Sequence, residues 1–135
     1  MRQAEVVIKV PFHDVDSMSV VWHGHYLKYF ELARCELLET FDYSYQQMQL
    51  SGYAWPVIDV HMRYGQPARF GDQIRVEATL KDYEQRLKIN YRIFNHETGK
   101  RLTRGSTTQV AIDLKTNEMC YRSPDILFHK LGFEP

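Results

Sequence analysis

One long helical pattern, over residues 24–41, limits what this chain can fold into. Apolar side chains recur within it at steps of three and four residues, as they do along one face of an amphipathic helix. At about 1.5 Å per residue, a helix of this length measures roughly 27 Å, which is enough to cross a small sheet. The sequence therefore predicts one dominant helix against which the remaining chain packs.

Strand patterns account for most of the remaining sequence. One strand is predicted before the helix, and Pro11 near its end interrupts its hydrogen-bond ladder. Four more are predicted after the helix, where apolar and polar residues alternate. The five predicted strands cover residues 4–12, 55–64, 72–82, 87–94 and 102–114. Shorter helices are predicted over residues 45–50 and 124–131.

This order of elements predicts an α+β domain. A run of antiparallel strands with one long helix buries its apolar surface when the helix covers one face of the sheet. The length of 135 residues fits a single domain, residues 1–135, and no repeat or linker divides it. We expect part of the sheet to serve an oligomer interface.

Composition excludes several classes of protein. The 17 basic and 17 acidic residues cancel, which argues against a nucleic-acid partner. No apolar run is long enough for a membrane span, and no apolar signal-peptide region follows the first residues. The two cysteines are too few for a disulfide framework. We therefore expect reduced thiols in a cytoplasmic protein, with Cys35 as a buried packing residue of the helix.

The residues that carry chemistry are concentrated just before the long helix, at positions 13–26. Asp14 and Asp16 precede a helix start, whose free amides and partial positive charge can polarise a carbonyl group. A nearby carboxylate can act as a nucleophile or as a base for water. These parts suit acyl hydrolysis, although aspartates are also ordinary capping and loop residues. The residues alone leave both interpretations open.

Histidines in the same segment raise the question of a metal. His13, His23 and His25 are candidate ligands together with an aspartate. However, the side chains of His23 and His25, two residues apart, would point in different directions on a helix. No HExxH motif is present. We therefore expect no metal site and no cofactor. His61, within an apolar strand, is expected to be packed or to line a pocket.

These motifs together resemble the opening of the 4-hydroxybenzoyl-CoA thioesterase family, in the style of its bacterial acyl-CoA thioesterase branch associated with the Tol-Pal system. The similar pattern is D-x-D at residues 14–16, Val-Val-aromatic-His at 20–23, a tyrosine at 26 and E-x-A-R at 31–34. Residues 62–72, where a strand runs into a proline and a Gly-Asp turn, also fit.

The resemblance implies a hotdog fold, in which a curved antiparallel sheet of about five strands wraps a long central helix. It also implies an acyl-CoA thioesterase that forms homodimers or homotetramers, with active sites at subunit interfaces. Asp16 would be the catalytic nucleophile or base, Asp14 a structural residue, and the backbone amide of His23 the group that polarises the thioester carbonyl. The implied substrate-binding residues are Val21, Trp22 and Tyr26 near the acyl group, with Arg86 and Lys88 at the phosphates of CoA.

One departure from the family pattern follows D-x-D. The family commonly has glycine there, whereas this chain has Ser17, Met18 and Ser19. Glycine permits a positive φ and close approach of a substrate, so we expect an altered turn or a narrower pocket. Two other functions stay open: a hotdog dehydratase or hydratase using His23 or His25, and a non-catalytic acyl-CoA-binding module.

Overall fold

A five-stranded antiparallel sheet packs against one long helix in the computed structural model, which describes residues 2–135. The strands are β1 (Gln3–Lys9), β2 (Tyr53–Ala54), β3 (Val57–Tyr64), β4 (Gln73–Asp82), β5 (Leu87–Asn95), β6 (Arg101–Gln109), β7 (Ile112–Asp113) and β8 (Glu118–Met119). The helices are α1 (Tyr26–Glu39), α2 (Tyr45–Leu50) and α3 (Asp125–Leu131). The predicted α+β class and the single dominant helix are confirmed.

Strand order places β1 and β3 at the two edges of the main sheet. The order is β1-β4-β5-β6-β3, so that β4, β5 and β6 are neighbours in chain order while β3 pairs with β6 and not with β4. The short strands β2, β7 and β8 form a second sheet. The strand predicted over residues 102–114 is therefore wrong in its second half, because Ile112 and Asp113 leave the main sheet to pair with β2 and β8.

The long helix is shorter than its sequence pattern. Residues His23–His25 form a single 3-10 turn, and the α-helix begins at Tyr26. Cys35 is exposed, so its predicted burial is wrong. Each helical residue is turned by about 100° from the previous one, and since Ala33 and Arg34 face the sheet, Cys35 points away from it.

The core lies between α1 and the sheet. Alternate residues of β4 and β5 are buried there: Ile74, Val76, Ala78, Leu80, Leu87, Ile89, Tyr91 and Ile93. The ring of Phe30 stacks on that of Tyr91, with centroids 4.3 Å apart. Gly105 permits this approach, because a Cβ atom there would lie 2.7 Å from the Phe30 ring. This contact positions α1 across the sheet. Among residues 2–135, no helix has the length and apolar character needed to cross a bilayer.

Candidate active site

The segment between β1 and α1 folds back on itself before the helix begins. Val15 and Val21 form an antiparallel bridge, and the Asp16 amide donates to the Val20 carbonyl at 2.9 Å. A second bridge joins Val20 to Arg69, in the segment between β3 and β4. The turn over residues 16–19 is therefore held between the start of the helix and one end of the sheet.

Asp16 lies in a cleft beside this turn. The cleft has a volume of about 250 Å³ and is lined by Asp16, Val20, Val21, His23, Tyr26, Tyr64, Gly65, Gln66 and Pro67. The Asp16 Oδ1 atom accepts a hydrogen bond from the Met18 amide at 2.9 Å, which orients the carboxylate. No cation among residues 2–135 forms an ion pair with it. Asp16 thus offers the cleft an exposed carboxylate without a charged partner.

Two backbone donors lie where the helix begins, and one of them belongs to His23, which lines the cleft. Within the described chain, the amides of His23 and Gly24 donate to no backbone carbonyl. Such first amides of a helix are free to bind a ligand oxygen, and the partial positive charge of the helix favours negative charge there. Asp16 and His23, a residue of the helix start, therefore line the same cleft.

Asp14 occupies a different environment from Asp16. It is buried, and its two carboxylate oxygens accept hydrogen bonds from Lys28 Nζ at 2.7 Å and from the Tyr29 hydroxyl at 2.6 Å. Burial raises the pKa of the Asp14 carboxyl, but these two hydrogen bonds, together with the nearby positive charge of Lys28, hold the pKa below its usual value. The charged Asp14 side chain therefore attaches the loop to α1 and is withdrawn from the cleft.

Two tyrosines, Tyr26 and Tyr64, also line the cleft. The buried Tyr26 hydroxyl accepts a hydrogen bond from the Ala68 amide at 3.3 Å, and burial raises the pKa of this hydroxyl. The Tyr64 hydroxyl donates to the His23 carbonyl at 3.0 Å. Sequence reasoning missed Tyr64, and the only signal for it was the strand that runs into Pro67.

Trp22 lies beside the cleft and does not line it. Its ring is half exposed and packs against the rings of His23 and His25, with centroids 5.0 Å and 5.4 Å apart. Gly24 accommodates this ring, since a Cβ atom there would lie 2.2 Å from it. Of the three predicted acyl-site residues, Val21 and Tyr26 line the cleft and Trp22 supports its rim.

The turn that lacks glycine keeps the conformation that glycine would favour. Ser19 has a φ of 61°, in the left-handed region. Met18 is 77% exposed and does not line the cleft. Met18 therefore does not narrow the cleft of one chain, and the departure in sequence places a serine in a strained conformation.

Three predicted binding residues lie outside the cleft of one chain. His61 is exposed and lies 3.1 Å from Asp59. Its predicted packing is wrong within one chain, because β3 is an edge strand, and its role in a pocket stays a prediction. Arg86 pairs with Asp82 across 3.4 Å, and Lys88 follows it near the start of β5. The ten residues of β4 separate these cations from the Asp16 turn by roughly 30 Å.

No metal centre forms from the candidate histidines. Within residues 2–135, no group of three His, Cys, Asp or Glu side chains lies close enough together to hold an ion. His13 and His25 instead lie 3.6 Å and 4.0 Å from the Asp14 carboxylate.

Comparisons with known proteins point to one family. A family model described as the thioesterase-like superfamily matches residues 10–127. The chain is 30% identical over 112 residues to the long-chain acyl-CoA thioesterase FadM of Escherichia coli, covering 82% of this chain and 84% of that protein. It is 29% identical over 91 residues to the acyl-CoA thioester hydrolase YbgC of Escherichia coli O6:H1, covering 67% and 68%.

A solved structure agrees with these relatives. The DHNA-CoA thioesterase of Staphylococcus aureus is 28% identical and superposes with a TM-score of 0.81, covering 90% of this chain and 81% of that chain. The hotdog fold implied by the sequence is thereby confirmed.

Proposed function

The chain belongs to the thioesterase-like superfamily, and on that premise we propose that it hydrolyses the thioester bond of an acyl-CoA with Asp16 as its catalytic carboxylate. The observation that carries the proposal is the shared cleft, which Asp16 and His23 both line. Among residues 2–135 the Asp16 carboxylate has no charged partner and the His23 amide donates to no backbone carbonyl. Acyl hydrolysis requires a carboxylate that attacks the carbonyl carbon or activates water to attack it. It also requires a hydrogen-bond donor that stabilises the charge on the carbonyl oxygen.

In this mechanism the backbone amide of His23 donates to the thioester carbonyl oxygen. A donor of this kind contributes about 10²–10³ in rate, because negative charge develops on the oxygen. Asp16 then attacks the carbonyl carbon, the C–S bond breaks, CoA leaves as a thiolate, and water hydrolyses the resulting anhydride. In the alternative route Asp16 removes a proton from water, which attacks directly. Both routes yield a free acid and CoA.

The acyl group would lie against Val21, Tyr26 and Tyr64. A cleft of about 250 Å³ is smaller than the roughly 300–1,000 Å³ of ligand pockets, so one chain encloses only part of a substrate. The relatives differ in acyl group: FadM is named for long-chain acyl-CoA and the staphylococcal enzyme for DHNA-CoA. The proposal therefore covers acyl-CoA as a class.

A second copy of the chain would complete the site. Strand β3 is a free edge of eight residues and carries exposed apolar side chains at Val57, Ile58 and Val60; free edges of this kind pair readily. Antiparallel pairing of two β3 strands puts the Val57 end of one beside the Tyr64 end of the other. Since Leu87 and Val57 both pair with Gln109, Arg86 and Lys88 of the second copy would approach the cleft.

Light scattering tests this homodimer, which can pair further into a homotetramer. Ile58→Lys places like charges at the two-fold contact and is expected to give a monomer with reduced turnover. Leu50→Lys changes an exposed leucine elsewhere and should remain oligomeric. An Ile58→Lys protein of unchanged mass would contradict the paired edge.

Purified protein tests the function. With short, long and aromatic acyl-CoAs, we expect thiol release in proportion to enzyme. Hydration of crotonyl-CoA without thiol release would favour a hydratase that uses His23 or His25. Acyl-CoA binding by calorimetry without any turnover would favour a binding module. Subcellular fractionation would check the proposed cytoplasmic location.

A further inference from the structure

A second hollow of the molecule shares no lining residue with the Asp16 cleft. It lies between β2, the end of β8 and the start of α3, and its walls include Ser51, Tyr53, Cys120, Arg122, Ser123 and Asp125. Its volume is about 690 Å³, within the roughly 300–1,000 Å³ of ligand pockets. The proposed hydrolysis uses none of these residues, so the hollow is free to serve another role.

The wall of this hollow contains one thiol, that of Cys120, directly after β8. Cys120 is partly exposed and forms no disulfide, so a small molecule can reach it. Its amide donates to the Ala111 carbonyl at 2.8 Å, which ties this part of the backbone to the residue before β7. The thiol therefore has a fixed place in a hollow large enough to enclose a group attached to it.

A buried hydroxyl in the same hollow lacks a partner. Ser123 lines the hollow and is only 3% exposed, and among residues 2–135 its Oγ atom has no hydrogen-bond partner. Buried polar groups without a partner are rare in folded proteins, because nothing compensates for their loss of hydration. The Ser123 hydroxyl therefore indicates, independently of the thiol, that a polar group of a ligand belongs in this hollow.

Cys35, the other cysteine, lies in surroundings that oppose a reaction with an anionic disulfide. Partial burial and the nearby carboxylate of Glu31 raise the pKa of its thiol, and the thiolate is the form that attacks a disulfide. Glutamates at positions 36 and 39 add further negative charge. In the hollow, by contrast, Arg122 and Asp125 lie 3.7 Å apart and their charges cancel. The two cysteines of the chain therefore differ in their surroundings and in the charge around them.

We propose that Cys120 is a modification site, where an anionic low-molecular-weight disulfide forms a mixed disulfide with the protein. The Cys120 thiolate attacks one sulfur atom of the reagent, and the reagent's S–S bond breaks as the new S–S bond forms. The other half of the reagent, which is the oxidant, leaves as a thiolate and takes up the proton lost by Cys120. The attached half lies in the hollow, where the Ser123 hydroxyl can donate a hydrogen bond to it. Arg122 can pair with its carboxylate, since the exposed pair of Arg122 with Asp125 is weak.

Mass spectrometry of the purified protein after incubation with glutathione disulfide tests the site. We expect one glutathione per chain, mapped to Cys120 and released by dithiothreitol, with Cys35 reacting at least about tenfold more slowly. Cys120→Ser should stay unmodified over the same time, whereas its matched control Cys35→Ser should react as the wild type does. Equal or faster modification of Cys35, or no adduct at Cys120, would overturn the proposal.

Two further variants test whether the hollow holds the adduct. In a buffer of reduced and oxidised glutathione, we expect Ser123→Ala and Arg122→Gln each to lower the equilibrium constant for adduct formation about threefold. Tyr121→Phe changes an 87% exposed side chain outside the hollow and is the control, which should leave this constant unchanged. A wild-type constant in both hollow variants would overturn the proposal that the hollow holds the attached group.

Unfolded protein separates the effect of the hollow from that of the local sequence. In urea the two cysteines should react at rates within about threefold of each other, because both thiols are then solvated. A preference for Cys120 that persists in urea would overturn the role of the hollow. Asp16→Asn should form the adduct as the wild type does, so the modification and the proposed hydrolysis are tested separately.

Discussion

The hydroxyl of Tyr64 donates a hydrogen bond to the carbonyl oxygen of His23 across 3.0 Å. This bond joins the edge strand β3 to the turn that precedes α1. The His23 carbonyl and the Gly24 amide belong to one planar peptide group, so the bond also orients a backbone donor at the start of the helix. Tyr64 therefore couples the proposed subunit edge to the peptide that follows the His23 amide, the group proposed to polarise the substrate.

Removal of the Tyr64 hydroxyl should weaken catalysis more than folding. For Tyr64→Phe we expect a loss of about 1 kcal/mol in unfolding free energy, as for one hydrogen bond, and about a tenfold loss in kcat. Tyr121→Phe is the control, because that side chain is 87% exposed. Steady-state kinetics and urea unfolding measure both effects. Wild-type kcat in Tyr64→Phe would show that the bond does not orient the peptide for catalysis.

Proline at position 23 tests the backbone donor directly. Trp22 has φ −62° and ψ 134°, the extended conformation that a residue before proline prefers, and proline is tolerated where a helix begins. His23→Pro removes the amide hydrogen and is expected to reduce kcat about 10²–10³-fold. His23→Ala removes the imidazole and keeps the amide, so it should retain most of the activity. Equal activity in the two variants would argue against the His23 amide.

Asp14 should contribute to stability in a pH-dependent way. Its pKa in the folded protein lies below the usual value, so its contribution is present above a pH of about 4 and is lost as the pH falls through the folded pKa. Asp14→Asn should lose about 1–3 kcal/mol at neutral pH, because the buried Tyr29 hydroxyl and the half-exposed Lys28 lose a charged hydrogen-bond acceptor. The unfolding free energy of Asp14→Asn should also fall less than that of the wild type as the pH is lowered. Urea unfolding from pH 7 to pH 3 measures this, and a decline identical to that of the wild type would contradict the assignment.

Local patterns predicted the elements better than their contacts. The helix and the strands β4 and β5 were predictable because the regular spacing of their apolar residues lies within one continuous segment of sequence. The pairing of β3 with β6 and the bridge from Val20 to Arg69 join distant parts of the chain, and no periodicity encodes them. The exposed His61 was mispredicted for the same reason, since an apolar strand gives no sign that it will lie at an edge.

The candidate site was partly predictable from the sequence. The two aspartates are chemically equivalent in sequence, and only the resemblance to a family selected Asp16. The structure adds a physical difference, since Lys28 and Tyr29 enclose Asp14 whereas Asp16 lies open in the cleft. Arg86 and Lys88 are far from Asp16 in one chain because the site is shared, on our proposal, between two.

The turn at Ser19 should become more stable with glycine. Ser19 occupies the left-handed region with φ 61°, which costs a residue with a side chain about 1–2 kcal/mol. Ser19→Gly is expected to raise the unfolding free energy by up to about 1 kcal/mol, since extra freedom of the unfolded chain offsets part of the gain. Ser17 has no positive φ, so Ser17→Gly should lower stability. Urea unfolding measures the unfolding free energy of both variants. A Ser19→Gly protein less stable than the wild type would contradict the claim that Ser19 is strained.

The rate of acyl-CoA hydrolysis by Asp16→Asn tests the central claim most directly. The substitution keeps the shape of the side chain and removes its charge, so folding should match the wild type. Asp125→Asn, which changes an exposed aspartate on α3, is the control. We predict that Asp16→Asn lowers kcat at least about 100-fold, whereas the control stays within about twofold of wild type. Full activity in Asp16→Asn would contradict the assignment of Asp16 as the catalytic carboxylate.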